Sequence, residues 1–175
     1  MEIPQVGDPR HARLKDWVTV LGKLKRWLYG ADRHRPGAFM RAFNRADAAL
    51  FSRGLGPRSA VTLEVTGRRS GRTVEVPLAV AEVDGDRYLV SMLGEDVGWV
   101  RNVRAAGGRA VLRRRRREEV LLEEVPVAER APIIKAYLKV APGARPHIPV
   151  RPDAPLQEFE AVADRHPVFR VGGRR

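Results

Sequence analysis

The chain has 175 residues, 43% of them hydrophobic, which suits one domain with a proper core and an N-terminal appendage. It contains no cysteine, which excludes disulfides, zinc-thiolate sites and cysteine nucleophiles and fits a reducing, cytoplasmic setting. Its 33 basic and 21 acidic residues leave a formal net charge of +12, which points to an anionic partner without choosing among nucleotide phosphate, nucleic acid and a membrane surface.

Residues 1–12 carry Pro4, Gly7, Asp8 and Pro9 and read as a loose arm, with no basic-then-apolar signal pattern after Met1. No stretch approaches the roughly 20 apolar residues of a membrane span. Over 13–30, Leu14, Trp17, Val18, Leu21, Leu24 and Leu28 fall on one helical stripe, with Lys15, Lys23, Lys25 and Arg26 mostly off it. Such a basic amphipathic helix either packs across its own domain or a partner subunit, or lies peripherally on an anionic membrane. A second helix is predicted over 37–53 on the stripe Phe39, Met40, Phe43, Ala46, Leu50 and Phe51, and Gly54-Leu-Gly-Pro57 stops it.

From residue 58 the texture changes to strands. Val61, Leu63 and Val65 alternate with Thr62, Glu64 and Thr66, and the alternation resumes at Val74 and Val76. Between them Gly67-Arg68-Arg69-Ser70-Gly71-Arg72 is a glycine-bounded polar hairpin tip. It gathers backbone N–H groups and three guanidinium groups, which suits a phosphate or carboxylate, although a solvated tip has the same composition. Strands are expected at 59–66, 72–83 and 87–92, with Asp84-Gly85 as a tight hairpin turn. A short helix over 96–106 has Asp96 as its cap and Gly107-Gly108 as its stop. Strands at 109–116 and 118–125 follow.

The Arg113–Arg117 run must point both ways along a strand, and Glu118, Glu119, Glu123 and Glu124 can offset it across the hairpin. Without interleaved aromatic residues it reads as a solvated edge and not as a nucleic-acid site. A helix over 127–140 carries Ile133, Ile134, Tyr137 and Leu138. Residues 142–152 are irregular and contain His147. A helix over 153–164 opens on Asp153 and Pro155, and a last strand spans 167–171. The four histidines show no metal-ligand spacing. Sequential strands joined by short turns, with helices inserted, predict an α+β fold. It is mainly antiparallel, with about six strands in a closed or nearly closed barrel, two N-terminal helices and further helices around it.

Thr66-Gly67-Arg68-Arg69-Ser70-Gly71, Pro77, the Asp84-Gly85 hairpin and Trp99-Val100-Arg101-Asn102 occur in that order. This set resembles the deazaflavin (coenzyme F420)-dependent nitroreductases and quinone reductases described from actinobacteria, most closely over 58–125. The resemblance implies a split β-barrel, here over 58–175, behind an N-terminal helical extension over 1–57. It implies a hydride passed from reduced deazaflavin to a small electron-poor acceptor such as a quinone or nitro compound, in a monomer or homodimer.

By that resemblance Gly67, Arg68, Arg69, Ser70, Gly71 and Arg72 meet the anionic tail of the coenzyme. Pro77 edges the ring pocket, Met92, Leu93 and Gly94 lie nearby, Trp99 packs beside the ring system, and Asn102 stands on the closing helix. Ser91 and Tyr137 are the candidate acids for product protonation. The chain departs from the family pattern at Val74, where a basic residue is usual, and at Ser91–Asp96, which lacks the usual lysine. The alternative reading is a non-catalytic barrel that binds flavin mononucleotide (FMN), haem or a fatty acid, or a protein held at a membrane surface by its basic N-terminal helix.

Overall fold

The computed structural model describes residues 57–173. The two helices expected over 13–30 and 37–53, and with them the membrane-contact reading, lie outside the described residues. The strands are β1 (Ala60–Thr66), β2 (Thr73–Val83), β3 (Asp86–Val90), β4 (Arg109–Arg114), β5 (Arg116–Glu124) and β6 (Val168–Gly173). The helices are α1 (Gly98–Ala105), α2 (Arg130–Val140) and α3 (Leu156–Glu160), with single 3₁₀ turns before α2 and around α3.

All strand pairs are antiparallel, and the strands close in the order β1-β2-β3-β6-β5-β4. Closure comes from the rungs Thr62↔Arg113, Leu63↔Leu112 and Glu64↔Val111. Each strand thereby pairs on two sides over part of its length, while Thr73–Ala79 of β2 pairs with β1 alone. The period-two alternation sends Val61, Leu63 and Val65 of β1 inward to meet Leu89, Leu112, Leu122 and Phe169. Helix α1 adds Trp99, Val100 and Val103 to this interior. A second core forms where Ala81 and Val90 meet Ile133, Ile134, Tyr137 and Leu138 of α2 and Phe159 of α3. Leu138 and Phe159 are fully buried, each worth about 1.5–3 kcal/mol of apolar transfer.

The turns follow local chemistry. Asp84 and Gly85 both have positive φ (52° and 86°), as a tight Asp-Gly hairpin requires. At the end of α1, Gly107 N–H donates to Arg104 O (3.1 Å) and Gly108 N–H to Val103 O (3.0 Å), the paired bonds of a Schellman stop.

Several expectations are corrected. Asp96 does not cap α1: the N-cap is Val97, without a side-chain cap, and Asp96 pairs with Arg101 instead. Asp153 pairs with Arg151 (3.0 Å), Pro155 is the N-cap of α3, and α3 is only five residues long. In both cases an adjacent arginine competes for the carboxylate more strongly than the helix end does.

Three of the glutamates that follow the arginine run do not offset it. The β4–β5 register sets Arg113 opposite Arg117, and barrel closure brings β1 alongside β4. Arg113 therefore reaches Glu75 (2.9 Å), and Arg117 donates to Glu64 (2.7 Å). Glu118, Glu123 and Glu124 go instead to Arg87, Arg170 and Arg104. Glu64 belongs to the expected polar face of β1, yet it is only 5% exposed because this arginine pair encloses it. Arg113 Nε lies 2.9 Å from Glu64 Oε1 as an ion pair without hydrogen-bond alignment.

Candidate functional site

The hairpin tip between β1 and β2 is a tight, internally bonded loop. Gly67 N–H donates to Arg72 O (2.8 Å), and Gly67 O accepts from Ser70 N (3.2 Å) and Gly71 N (2.8 Å). Gly71 takes φ +66°, which favours glycine. Arg72 N–H donates to Ser70 Oγ (3.3 Å). These bonds correct the expectation of a cluster of open backbone N–H groups. Within 67–72, only the Arg69 N–H has no partner among the described residues. What the tip offers an anion is chiefly its guanidinium groups.

Asn102 makes the loop part of a larger site. It sits on α1, 6% exposed, and its Oδ1 accepts from Arg68 N–H (3.3 Å) and from Arg68 Nη1 (3.0 Å) across a separation of 34 residues. Both partners are donors, so the amide orientation follows from the contacts. One buried side chain thus fixes the loop against the helix that plugs the barrel. Arg68, Arg69 and Arg72 are exposed, and none forms an ion pair with an acid among the described residues. Three guanidinium groups on one fixed tip suit a phosphate or a cluster of carboxylates.

A groove of about 730 Å³ opens at Thr66 and Thr73, the paired residues at the base of this loop, and runs over Glu64, Val111, Arg117 and Leu121. Its volume is that of a small-molecule site. Pro77 stands on β2 opposite Thr62, in the stretch before β2 begins to pair with β3 at Val80. A strand with one open edge can accommodate the missing N–H.

The other predicted residues fall in two places. Trp99 is 8% exposed inside the barrel, with its ring 5.5 Å from that of Phe169 at 60°, so in this structure it packs in the core. Ser91 is 1% exposed, and its hydroxyl donates to Gly94 O (2.6 Å), closing the Ser91–Gly94 turn. Met92 packs against the helix-side core and Leu93 is exposed. Tyr137 is 4% exposed in that same core, and burial pushes its phenol up to about 12.

Of two further buried groups, Arg130 was missed by sequence reasoning and His166 was read only as a titratable side chain. Arg130 donates to Val125 O (2.8 Å) and Glu124 (3.1 Å), tying β5 to α2. His166 is 5% exposed, and its Nδ1 lies 3.1 Å from Ser91 O. Neither carries a local signal, because each partner is set by tertiary packing. Burial holds both His147 and His166 below the ordinary histidine range. Among the described residues no group of acids and histidines could hold a metal ion, and no helix is long and apolar enough to cross a membrane.

A closed antiparallel barrel with a cationic hairpin tip clipped to its plugging helix defines a split-barrel protein whose charged tip suits an anionic ligand. The model of the F420H2-dependent quinone reductase family matches residues 39–150, and the chain belongs to that family. It is an F420H2-dependent oxidoreductase by that membership.

Among solved structures, a conserved hypothetical protein from Mycobacterium tuberculosis is similar at 16% identity and TM-score 0.50, over 75% of this chain and 86% of that one. This likeness supports the barrel fold. An F420H2-dependent reductase is similar at 28% identity and TM-score 0.42, over 65% and 94% of the two chains. A domain-swapped dimer is similar at 21% identity and TM-score 0.47, over 90% and 98%. No curated protein matches the chain.

Proposed function

We propose that the protein reduces a quinone, a nitro compound or a similar electron-poor acceptor, with its anionic coenzyme anchored at the 67–72 loop. When bound, reduced F420 supplies the hydride. The observation that carries the reading is the Asn102 clip. It joins Gly67-Arg-Arg-Ser-Gly71 and Trp99-Val-Arg-Asn102, the two motifs that resemble the family, into one rigid unit.

In this reading Arg68, Arg69 and Arg72 bind the phosphate and carboxylates of the coenzyme tail. The groove at Thr66 and Thr73 supplies the adjoining volume. Ser91 shapes the neighbouring turn through its bond to Gly94 O. Tyr137 remains the candidate acid, although burial makes its phenol a weaker acid than a free tyrosine, so it would protonate only a strongly basic product anion. Pro77 borders the ring pocket.

The test is a fluorescence titration with F420, with FMN as comparator, followed by anaerobic oxidation of F420H2 by a neutral quinone and by a nitroaromatic. Each charge-assisted bond to phosphate is worth about 1.5–3 kcal/mol. Replacing Arg68 and Arg69 together by Ala therefore weakens binding by about 100-fold or more. Unchanged affinity in the double variant removes the loop from the site. Saturable FMN binding without F420 binding removes the coenzyme assignment.

A further inference from the structure

We propose that His166 is a positioning residue: its ring fixes the Ser91–Gly94 turn from behind, and thereby sets coenzyme affinity without touching the coenzyme. The affinity clause rests on the reading that this turn borders the coenzyme site.

The β3–β6 ladder includes the rung Val90↔Val168, and Ser91 N–H then donates to Pro167 O (2.8 Å). Beyond that bond the turn leaves the sheet. It is held by three further contacts: Ser91 Oγ donates to Gly94 O (2.6 Å), Gly94 N–H donates to Ser91 O (3.4 Å), and His166 Nδ1 meets Ser91 O at 3.1 Å. The 3.4 Å bond is long, so His166 is the stronger partner of that carbonyl. A carbonyl only accepts, so Nδ1 carries the hydrogen, and this bond fixes the tautomer.

The turn also closes onto the segment that carries the histidine. Gly94 has φ +88°, and a Cβ there would lie 3.4 Å from Arg165 O. Ser91 and His166 are 1% and 5% exposed, while Leu93, at the outer side of the turn, is 44% exposed. The anchor is therefore dry and the presented side of the turn is wet. A buried carbonyl that loses its good donor is costly, so an apolar residue at 166 would loosen the turn. The charged and titratable groups acting on the ring are Asp164 and Arg165 from its own segment and His147 from across the core, with the Ser91 carbonyl opposite Nδ1.

The experiment compares His166→Asn, His166→Gln and His166→Leu by F420 titration and by amide hydrogen exchange at Met92, Leu93 and Gly94. The side-chain amide nitrogen of Asn occupies the δ position and can replace Nδ1, whereas that of Gln occupies the ε position. Expected are about tenfold weaker binding and faster turn exchange for the Leu and Gln variants, with both recovered to within about threefold in the Asn variant. A Leu variant with unchanged affinity and exchange overturns the proposal, and so do Asn and Gln variants that behave alike. Should the Leu variant not fold, the Asn and Gln comparison decides. If the natural protein itself shows no saturable F420 binding, the parent reading and the affinity clause fall. The exchange measurement on the ligand-free protein then decides the anchoring clause.

Discussion

Replacing Asn102 tests the site most directly, because one buried oxygen carries both contacts between loop and helix. In Asn102→Ala, the Arg68 N–H loses a 3.3 Å bond and the Arg68 guanidinium a 3.0 Å bond. The neutral contact is worth about 0.5–1.5 kcal/mol and the charged one about 1.5–3 kcal/mol when buried. Arg68 is exposed, so solvent screening reduces the second to about 1 kcal/mol or less. The sum is about 0.5–2.5 kcal/mol, an upper bound on how much the loop loses for binding, or about 2–70-fold in Kd.

Asn102→Asp separates the causes. It keeps the acceptor and strengthens the pull on Arg68, yet it places a negative charge at an anion site. Stability is then retained while F420 affinity falls at least as far as in the Ala variant. Isothermal titration with F420, alongside urea denaturation of each variant, reads both quantities. Affinity within about twofold of the natural protein for both variants refutes the clip as an organiser of the site, since the lost bonds are then worth less than about 0.4 kcal/mol.

Gly107 and Gly108 give a paired test of the helix stop. Both have positive φ (60° and 79°), but only at Gly108 would a Cβ strike backbone, 2.4 Å from Leu122 O. Urea denaturation of Gly107→Ala should show a loss of about 1 kcal/mol, and of Gly108→Ala about 3 kcal/mol or more, with equal losses refuting the clash. Burial lowers His147 and His166, so the folded state resists protons that the unfolded chain accepts near the ordinary value of about 6.5. Their contribution is present above that pH and is lost as pH falls toward the lower folded values. Thermal unfolding should show Tm dropping from pH 7 to pH 5, less so in His166→Asn, and a flat profile refutes the reading.

Much of the barrel is legible in the sequence because its signals are local. Period-two alternation marks β1 and β2, Asp84-Gly85 turns β2 into β3, and Gly107-Gly108 ends α1. The pairing of charges is not local. Nothing near Glu64 in sequence points to Arg113 and Arg117, because the register and the closing β1–β4 rungs decide that contact. The caps expected at Asp96 and Asp153 failed for a related reason, since a carboxylate beside an arginine has a charged alternative to the helix end. Asn102 was legible as a motif member, but not as the acceptor that holds Arg68. His166 was legible as a titratable side chain but its contact was not, since its partner lies 75 residues away and is a backbone oxygen.

The chain carries two arginine-rich hairpin tips, and the structure separates their roles by what surrounds each. At Arg113–Arg117, Arg113 and Arg117 are held by Glu64 and Glu75, and Arg114 donates to Pro57 O (3.2 Å). Glu118, beside the run, is bound by Arg87 through two bonds of 2.6 and 2.9 Å. Any anion approaching this tip meets carboxylates already in place, since two of its five arginines, Arg113 and Arg117, are paired with acids in the barrel wall. Arg115, at the point of the turn, has φ +62°, an unfavourable conformation for a residue with a side chain. At Gly67–Arg72 the corresponding position is Gly71, with φ +66° and open space around it. No ion pair with an acid engages its three arginines among the described residues, and its one side-chain anchor, Asn102, is neutral. A neutral anchor orders the loop and leaves its positive charge undiminished for a ligand. The carboxylates built into the second tip, more than the number of arginines, make the first tip the better candidate anion site.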